Sequence, residues 1–342
     1  MKALLLSDYR RLEVTNLAQP KPEADEILIR VRACGICGSD VHGYDGSSGR
    51  RIPPIVMGHE AAGEVVASGA DVKNVSVGDR VTFDSTIYCG KCSDCQRGMV
   101  NLCSQRQVLG VSCGNYRRAG AFAEFVVVPE RIVYRLPDSL SFQQAALLEA
   151  VSVALHAVSL ATISPDDTVL VVGAGTIGLL LLEALQVRGC SRVFVSDIDP
   201  TRLKLAENLG ATATFVSAPD HSQQVLRETG GAGVDVAMEA VGINATVSAA
   251  ISSVRKSGTV VLVGNVSPEV KLPLQTVVTR QIRLQGSCAS AGEYPEAIRL
   301  VASGAIRVKP LISAVAKLEE GPQWFERLYA REPNLLKVIL AP

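Results

Sequence analysis

One stretch constrains the fold of this chain more than any other. Val169-Leu170-Val171-Val172 runs into Gly173-Ala174-Gly175-Thr176-Ile177-Gly178, and a Leu- and Ala-rich segment follows. A Gly-x-Gly-x-x-Gly alone says little. Placed between a β-branched strand and a helical stretch, it reads as the turn of a βαβ unit that receives a dinucleotide. Gly173 allows the tight turn, Gly175 lets the backbone approach a pyrophosphate, and Gly178 lets helix and strand pack closely. Thr176 and Ile177 open the helix, so the diphosphate sits on free N–H groups at its positive end.

The next strand, Arg192-Val193-Phe194-Val195-Ser196, ends at Asp197, nineteen residues after Gly178. An acid there can bind the adenosine ribose hydroxyls. It would repel a 2′-phosphate, so NAD is expected over NADP. Asp199 precedes Pro200 and reads as a helix N-cap instead. Arg202 is close enough to contact the ribose edge.

Strands and helices alternate around this unit. Strands are expected at 168–172, 192–197, 234–239, 259–263 and 281–285, which predicts a parallel, doubly wound sheet. Residues 1 to about 135 differ. Ile27, Ile29 and Val31 alternate with Leu28, Arg30 and Arg32, and short strands recur near 65–66, 75–81 and 125–128. Ser141 with Gln144 is a capping-box signal for a helix. Beyond 290, helices are expected near 293–303 and 318–330, with a last strand near 335–340.

Four cysteines fall in one fifteen-residue stretch, Cys89, Cys92, Cys95 and Cys103, spaced Cys-x2-Cys-x2-Cys-x7-Cys. The intervening Gly90, Lys91, Ser93, Asp94 and Gly98 are too polar to form a core. Four thiolates this close read as a closed tetrahedral Zn²⁺ site rather than two disulfides. Such a site has no open coordination position, so its metal is structural.

A second metal site is suggested by Cys37-Gly38-Ser39-Asp40-Val41-His42 and Gly58-His59-Glu60. A catalytic zinc takes three protein ligands and leaves one position open. Cys37 and His59 supply two, and Glu60 and Glu149 compete for the third. Arg50-Arg51 and Arg117-Arg118 read as solvated loop residues, with contact to a phosphorylated or acidic substrate as the alternative, and Cys34 as a small buried strand residue.

Lys plus Arg equals Asp plus Glu at 34 each, so charge makes no case for nucleic acid or an anionic membrane. No apolar run is long enough to span a bilayer. The chain starts on strand-like alternation rather than a leader, and the cytoplasm is the expected location.

In their order and spacing these motifs resemble the zinc-dependent medium-chain alcohol and polyol dehydrogenases. The resemblance covers essentially the whole chain. It implies an α/β protein: a GroES-like β-rich catalytic domain, 1–150 and 290–342, plus a Rossmann NAD-binding domain, 151–289, with the active site in the cleft. It implies one catalytic and one structural Zn²⁺, and proton handling by Ser39 and His42. Glutamate at 149, in Leu148-Glu149-Ala150, matches the polyol branch, although the proline that usually follows is absent. Small residues at Gly286-Ser287-Cys288-Ala289-Ser290 replace the Arg-Tyr pair often found there. The implied reaction is oxidation of a secondary alcohol of a polyol or sugar alcohol, phosphorylated or free, with NAD. An L-threonine 3-dehydrogenase-like amino-alcohol oxidation is the alternative, and a non-catalytic nucleotide-binding relative the alternative of another class. Pairing of the edge strand near 281–286 across a two-fold axis implies a homodimer or homotetramer.

Overall fold

The computed structural model describes residues 1–217 and 221–342. The chain forms two compact units, Met1–Ser152 with Ser290–Pro342, and Val153–Ala289.

The first unit is built on a largely antiparallel sheet. Its strands run in the order Val133–Arg135, Arg80–Phe83, Glu60–Ser68, Glu26–Ile36, Lys337–Ala341 and Ile312–Lys317, and Phe125–Pro129 also pairs with Glu26–Ile36. The long central strand shows why its sequence alternates. Ile27, Ile29 and Val31 are fully buried, whereas Arg30 and Arg32 are exposed. Leu28 departs from the expected alternation and is buried on the opposite face. The C-terminal strand lies antiparallel beside it, with Val338 opposite Ile36 and Leu340 opposite Cys34. A smaller sheet of Arg11–Asn16, Lys2–Asp8 and Ile55–Val56 joins the same core, in which Leu4, Leu6, Met57, Phe83, Phe122 and Phe325 are buried.

The second unit is a six-stranded parallel sheet in the order Ala213–Val216, Arg192–Asp197, Thr168–Val172, Val234–Glu239, Val254–Leu262 and Arg283–Gly286. Order reverses at the Thr168–Val172 strand, as a doubly wound fold requires. Five strands were expected, and the structure adds Ala213–Val216. That segment is four residues long and only Phe215 is buried, so it carries no periodic signal. The fifth strand also starts earlier than expected, at Val254. Expected caps form: Ser141 Oγ accepts from Gln144 N–H at 3.2 Å, and Asp199 Oδ1 from Thr201 N–H at 2.8 Å.

Past Ser290 the helices are Tyr294–Ala302 and Gly321–Tyr329. The Ile312–Lys317 strand between them was not expected, because its Ile-Ser-Ala-Val-Ala-Lys sequence is short and partly exposed. No helix among the described residues is long and apolar enough to cross a membrane.

Candidate metal centres and nucleotide site

The four-cysteine loop closes on itself through sulfur. Cys92 Sγ lies 3.5 Å from Cys95 Sγ and 3.9 Å from Cys103 Sγ, and Cys89 Sγ lies 4.0 Å from Cys95 Sγ. A disulfide needs about 2.05 Å. Tetrahedral zinc with bonds of about 2.3 Å spaces its sulfurs about 3.8 Å apart, so this donor set fits the metal. Backbone N–H groups of Cys89 and Gln105 point at Cys103 Sγ, and that of Cys92 at Cys89 Sγ, at 3.3 to 3.4 Å. Burial and the neighbouring Cys92 thiol push Cys95 up to about 12, whereas backbone N–H donors at Cys95 and Ser104 pull the Cys92 thiol down to about 5. A thiol already inclined to lose its proton is ready to bind metal.

Cys37 ends the central strand and caps the Gly38–Tyr44 helix, where its own N–H donates to Asp40 Oδ2 at 3.2 Å. His59 and Glu60 arrive from the start of the Glu60–Ser68 strand. Neighbours on a strand point to opposite faces, so a bend must bring both inward. His59 lies just ahead of the strand, outside its alternation, and Gly58 before it turns with φ +92°, a conformation open to glycine. One ligand atom each of Cys37, His59 and Glu60 then lies within 4.8 Å of the others.

Each member has a buried partner. His59 Nδ1 faces Asp40 Oδ1 at 3.4 Å and has no other partner, which leaves Nε2 for a metal. Burial opposes the charge on Asp40, but His59, Arg51 and the Cys37 N–H hold it down at about 2. Burial also disfavours a proton on His59, yet the charge and hydrogen bond of Asp40, with Cys37, raise its pKa well above the usual histidine value. Glu60 is gripped by Lys337, whose Nζ donates to its two oxygens at 2.7 and 2.5 Å. Gly35 sits opposite Glu60 in the ladder, and a side chain there would collide with the Glu60 carboxylate.

Glu149 lies outside this close set. It accepts from Ser85 Oγ at 3.3 Å, and burial raises its pKa against the opposing charge of His59. Ser39 and His42 are three residues apart on the Gly38–Tyr44 helix, on one face. Both are partly exposed, and burial lowers the His42 pKa, favouring the neutral imidazole. Two residues of this centre were not found from sequence. Lys337 is a lone cation inside an apolar strand, Leu-Leu-Lys-Val-Ile-Leu, and that placement was the available signal. Arg51 is a correction: it is buried rather than solvated, because its guanidinium reaches Ser39 and Asp40. Arg118 is likewise ion-paired, with Glu26.

In the second unit Gly173 turns with φ +102°, and a Cβ on Gly178 would strike the Gly173 carbonyl. Gly175 is different, with nothing within 4 Å of where a Cβ would stand. Space kept open beside the first turn of the Thr176–Val187 helix fits a pyrophosphate. Asp197 accepts from Ala174 N–H at 2.6 Å and from Asp199 N–H at 2.9 Å. Its carboxylate is therefore tied to the glycine turn, and each oxygen keeps a lone pair for a ribose hydroxyl. Arg202 Nε lies 3.6 Å from Asp199 Oδ2.

A parallel dinucleotide-type sheet and a β-rich unit with two zinc-suited clusters define an oxidoreductase of the zinc-dependent kind. The alcohol dehydrogenase GroES-like domain matches residues 23–138, and the zinc-binding dehydrogenase family residues 176–303. The chain is 35% identical to the sorbitol dehydrogenase of Bacillus subtilis (strain 168), over 100% of this chain and 97% of that one. It is 36% identical to the D-xylulose reductase A of Aspergillus niger, covering 91% and 89%. A Sinorhizobium meliloti 1021 protein solved with NADP superposes with a TM-score of 0.90 at 34% identity, covering 100% and 99%. The chain belongs to the zinc-dependent medium-chain alcohol and polyol dehydrogenases. It is an enzyme of that family, using zinc and a nicotinamide dinucleotide.

Proposed function

We propose that this enzyme oxidises a secondary hydroxyl of a polyol or sugar alcohol to the ketone, with NAD as acceptor. The convergence of Cys37, His59 and Glu60 beside Ser39 carries the reading, and the identity to sorbitol dehydrogenase and D-xylulose reductase supports the substrate class. Cys37 and His59 would hold the catalytic zinc with Glu60, steadied by Lys337, as the third ligand or in exchange with Glu149, and the four cysteines the structural one. Bound zinc supplies Lewis acidity, and the dinucleotide accepts hydride. The chain's own residues handle the proton. The Ser39 hydroxyl takes it from the substrate hydroxyl, and neutral His42, one turn along the helix, passes it outward. Gly173, Gly175, Thr176, Ile177 and Gly178 would hold the pyrophosphate and Asp197 the ribose, with Arg202 restrained by Asp199.

Arg283–Gly286 is an edge strand, and Leu274 and Val278 are exposed nearby. Pairing of this edge between two copies would cover it, so a dimer or a pair of dimers is proposed, in the cytoplasm. The test is NAD reduction against sorbitol, xylitol, galactitol 1-phosphate and L-threonine, with zinc counted by elemental analysis. Turnover of a polyol and two zinc ions per chain are expected. Turnover of threonine alone, or one zinc per chain, would overturn the assignment.

A further inference from the structure

Among the described residues Arg51 is the only buried arginine, with its side chain 4% exposed. Its loop is clamped on both sides. Ser112 N–H donates to the Arg50 carbonyl at 3.0 Å, and the Ser112 hydroxyl bonds both backbone groups of Ile52. Gly43 leaves room for the arginine stem, since a Cβ there would come within 2.6 to 2.9 Å of the Arg51 Cβ, Cγ and Cδ. The stem thus passes over the one glycine in the interior of the Gly38–Tyr44 helix.

At its end, Arg51 Nη2 donates to Ser39 Oγ and to Asp40 Oδ1, each at 3.0 Å. Nε is buried and has no partner. A buried donor left unpaired is costly, so filling space does not account for an arginine here. The same Asp40 oxygen faces His59 Nδ1, and its other oxygen takes the Cys37 N–H. One guanidinium therefore touches the proton-handling hydroxyl and the carboxylate behind two proposed metal ligands.

We propose that Arg51 is a positioning residue for the Ser39 hydroxyl. A serine oxygen has two lone pairs and one hydrogen. Arg51 occupies one lone pair and so selects one staggered rotamer of the three. The second lone pair and the hydrogen stay free to take a proton from the substrate hydroxyl and hand it on. Without the guanidinium, Ser39 turns among its rotamers and meets the substrate in the right one only part of the time. No group need change its charge for this. The proposal rests on the role given to Ser39 above.

A cycle of four proteins tests it: wild type, Ser39→Ala, Arg51→Met and the double variant. Each is assayed for NAD reduction with the best polyol of the panel and for zinc content. Arg51→Met should lower kcat roughly tenfold to hundredfold, the range seen when a partner of a site residue is removed, with KM and zinc content little changed. In the Ser39→Ala background the same change should cost less than about threefold, because there is no hydroxyl left to aim. Equal losses in both backgrounds would overturn the proposal while leaving the role of Ser39 intact. An unchanged kcat in Ser39→Ala would instead remove the role of Ser39 and this inference with it. Gly43→Ala decides the matter if Arg51→Met loses zinc or fails to fold. It keeps the guanidinium but displaces its stem, so kcat should fall at full zinc content. Wild-type kcat in Gly43→Ala would overturn the proposal.

Discussion

Replacing Lys337 by methionine removes one half of a fully buried ion pair. Lys337 and Glu60 have side chains 3% and 1% exposed, and the ammonium reaches both carboxylate oxygens and, at 3.3 Å, the Ile36 carbonyl. Methionine keeps the length of the stem and leaves the carboxylate unpaired. Breaking a buried pair in this way costs about 3 to 5 kcal/mol. The unit has about 200 residues, and unfolding entropy of about 2.1 cal/mol/K per residue turns that cost into a Tm fall of about 7 to 12 °C. Lys337→Met with Glu60→Gln should recover most of it, because the partner left behind no longer carries a charge. Calorimetry of the single and double variants with zinc in fixed excess is the assay. The pH dependence has a defined sign. Burial lowers the Lys337 pKa, but the charges of Glu60 and Cys37 raise it above the usual lysine value. Its contribution is therefore whole below about pH 10.5 and is lost as pH rises through the higher folded value. A Tm within about 2 °C of wild type, or a double variant no better than the single, would refute the reasoning.

Two further outcomes are expected. Asp197→Ser should narrow the preference for NAD over NADP, measured as the ratio of kcat/KM values, because the carboxylate that repels a 2′-phosphate is gone; an unaltered ratio would end that role for Asp197. Asp84 is buried, accepts from Thr86 N–H at 2.8 Å, and is raised by burial and then by the charges of Glu149 and Glu293 to about 7. Its folded pKa exceeds the unfolded one, so the contribution of Asp84 to stability is greatest below about pH 4 and is lost as pH rises through 7, by on the order of 4 kcal/mol. Asp84→Asn should flatten that slope in denaturant titrations between pH 4 and 8. Parallel curves for the two proteins would contradict it.

Much of this protein is written in short-range pattern. The glycine spacing at 173, 175 and 178 and the acid closing the following strand lie within one βαβ unit, where local sterics dictate each residue. The helix caps at Ser141 and Asp199 are equally local, since a side chain bonds a backbone group two or three residues on. Four cysteines in fifteen residues are close enough in sequence to meet around one metal. Such features need no knowledge of the rest of the chain.

The partners of the catalytic cluster are of another kind. Lys337 reaches Glu60 because the last strand pairs with Glu26–Ile36, which places residues some 280 apart in sequence side by side. Arg51 leaves solvent because Ser112 clamps its loop and Gly43 leaves a groove. The short strands at Ala213–Val216 and Ile312–Lys317 acquire their conformation from the neighbours they pair with, since four and six residues are too few to declare a strand by themselves. By itself the sequence determined the two units, their chemistry and the identities of the candidate ligands. Only the tertiary structure decided which charges face one another in the interior, because a buried charge takes as its partner whatever the sheet register carries to it.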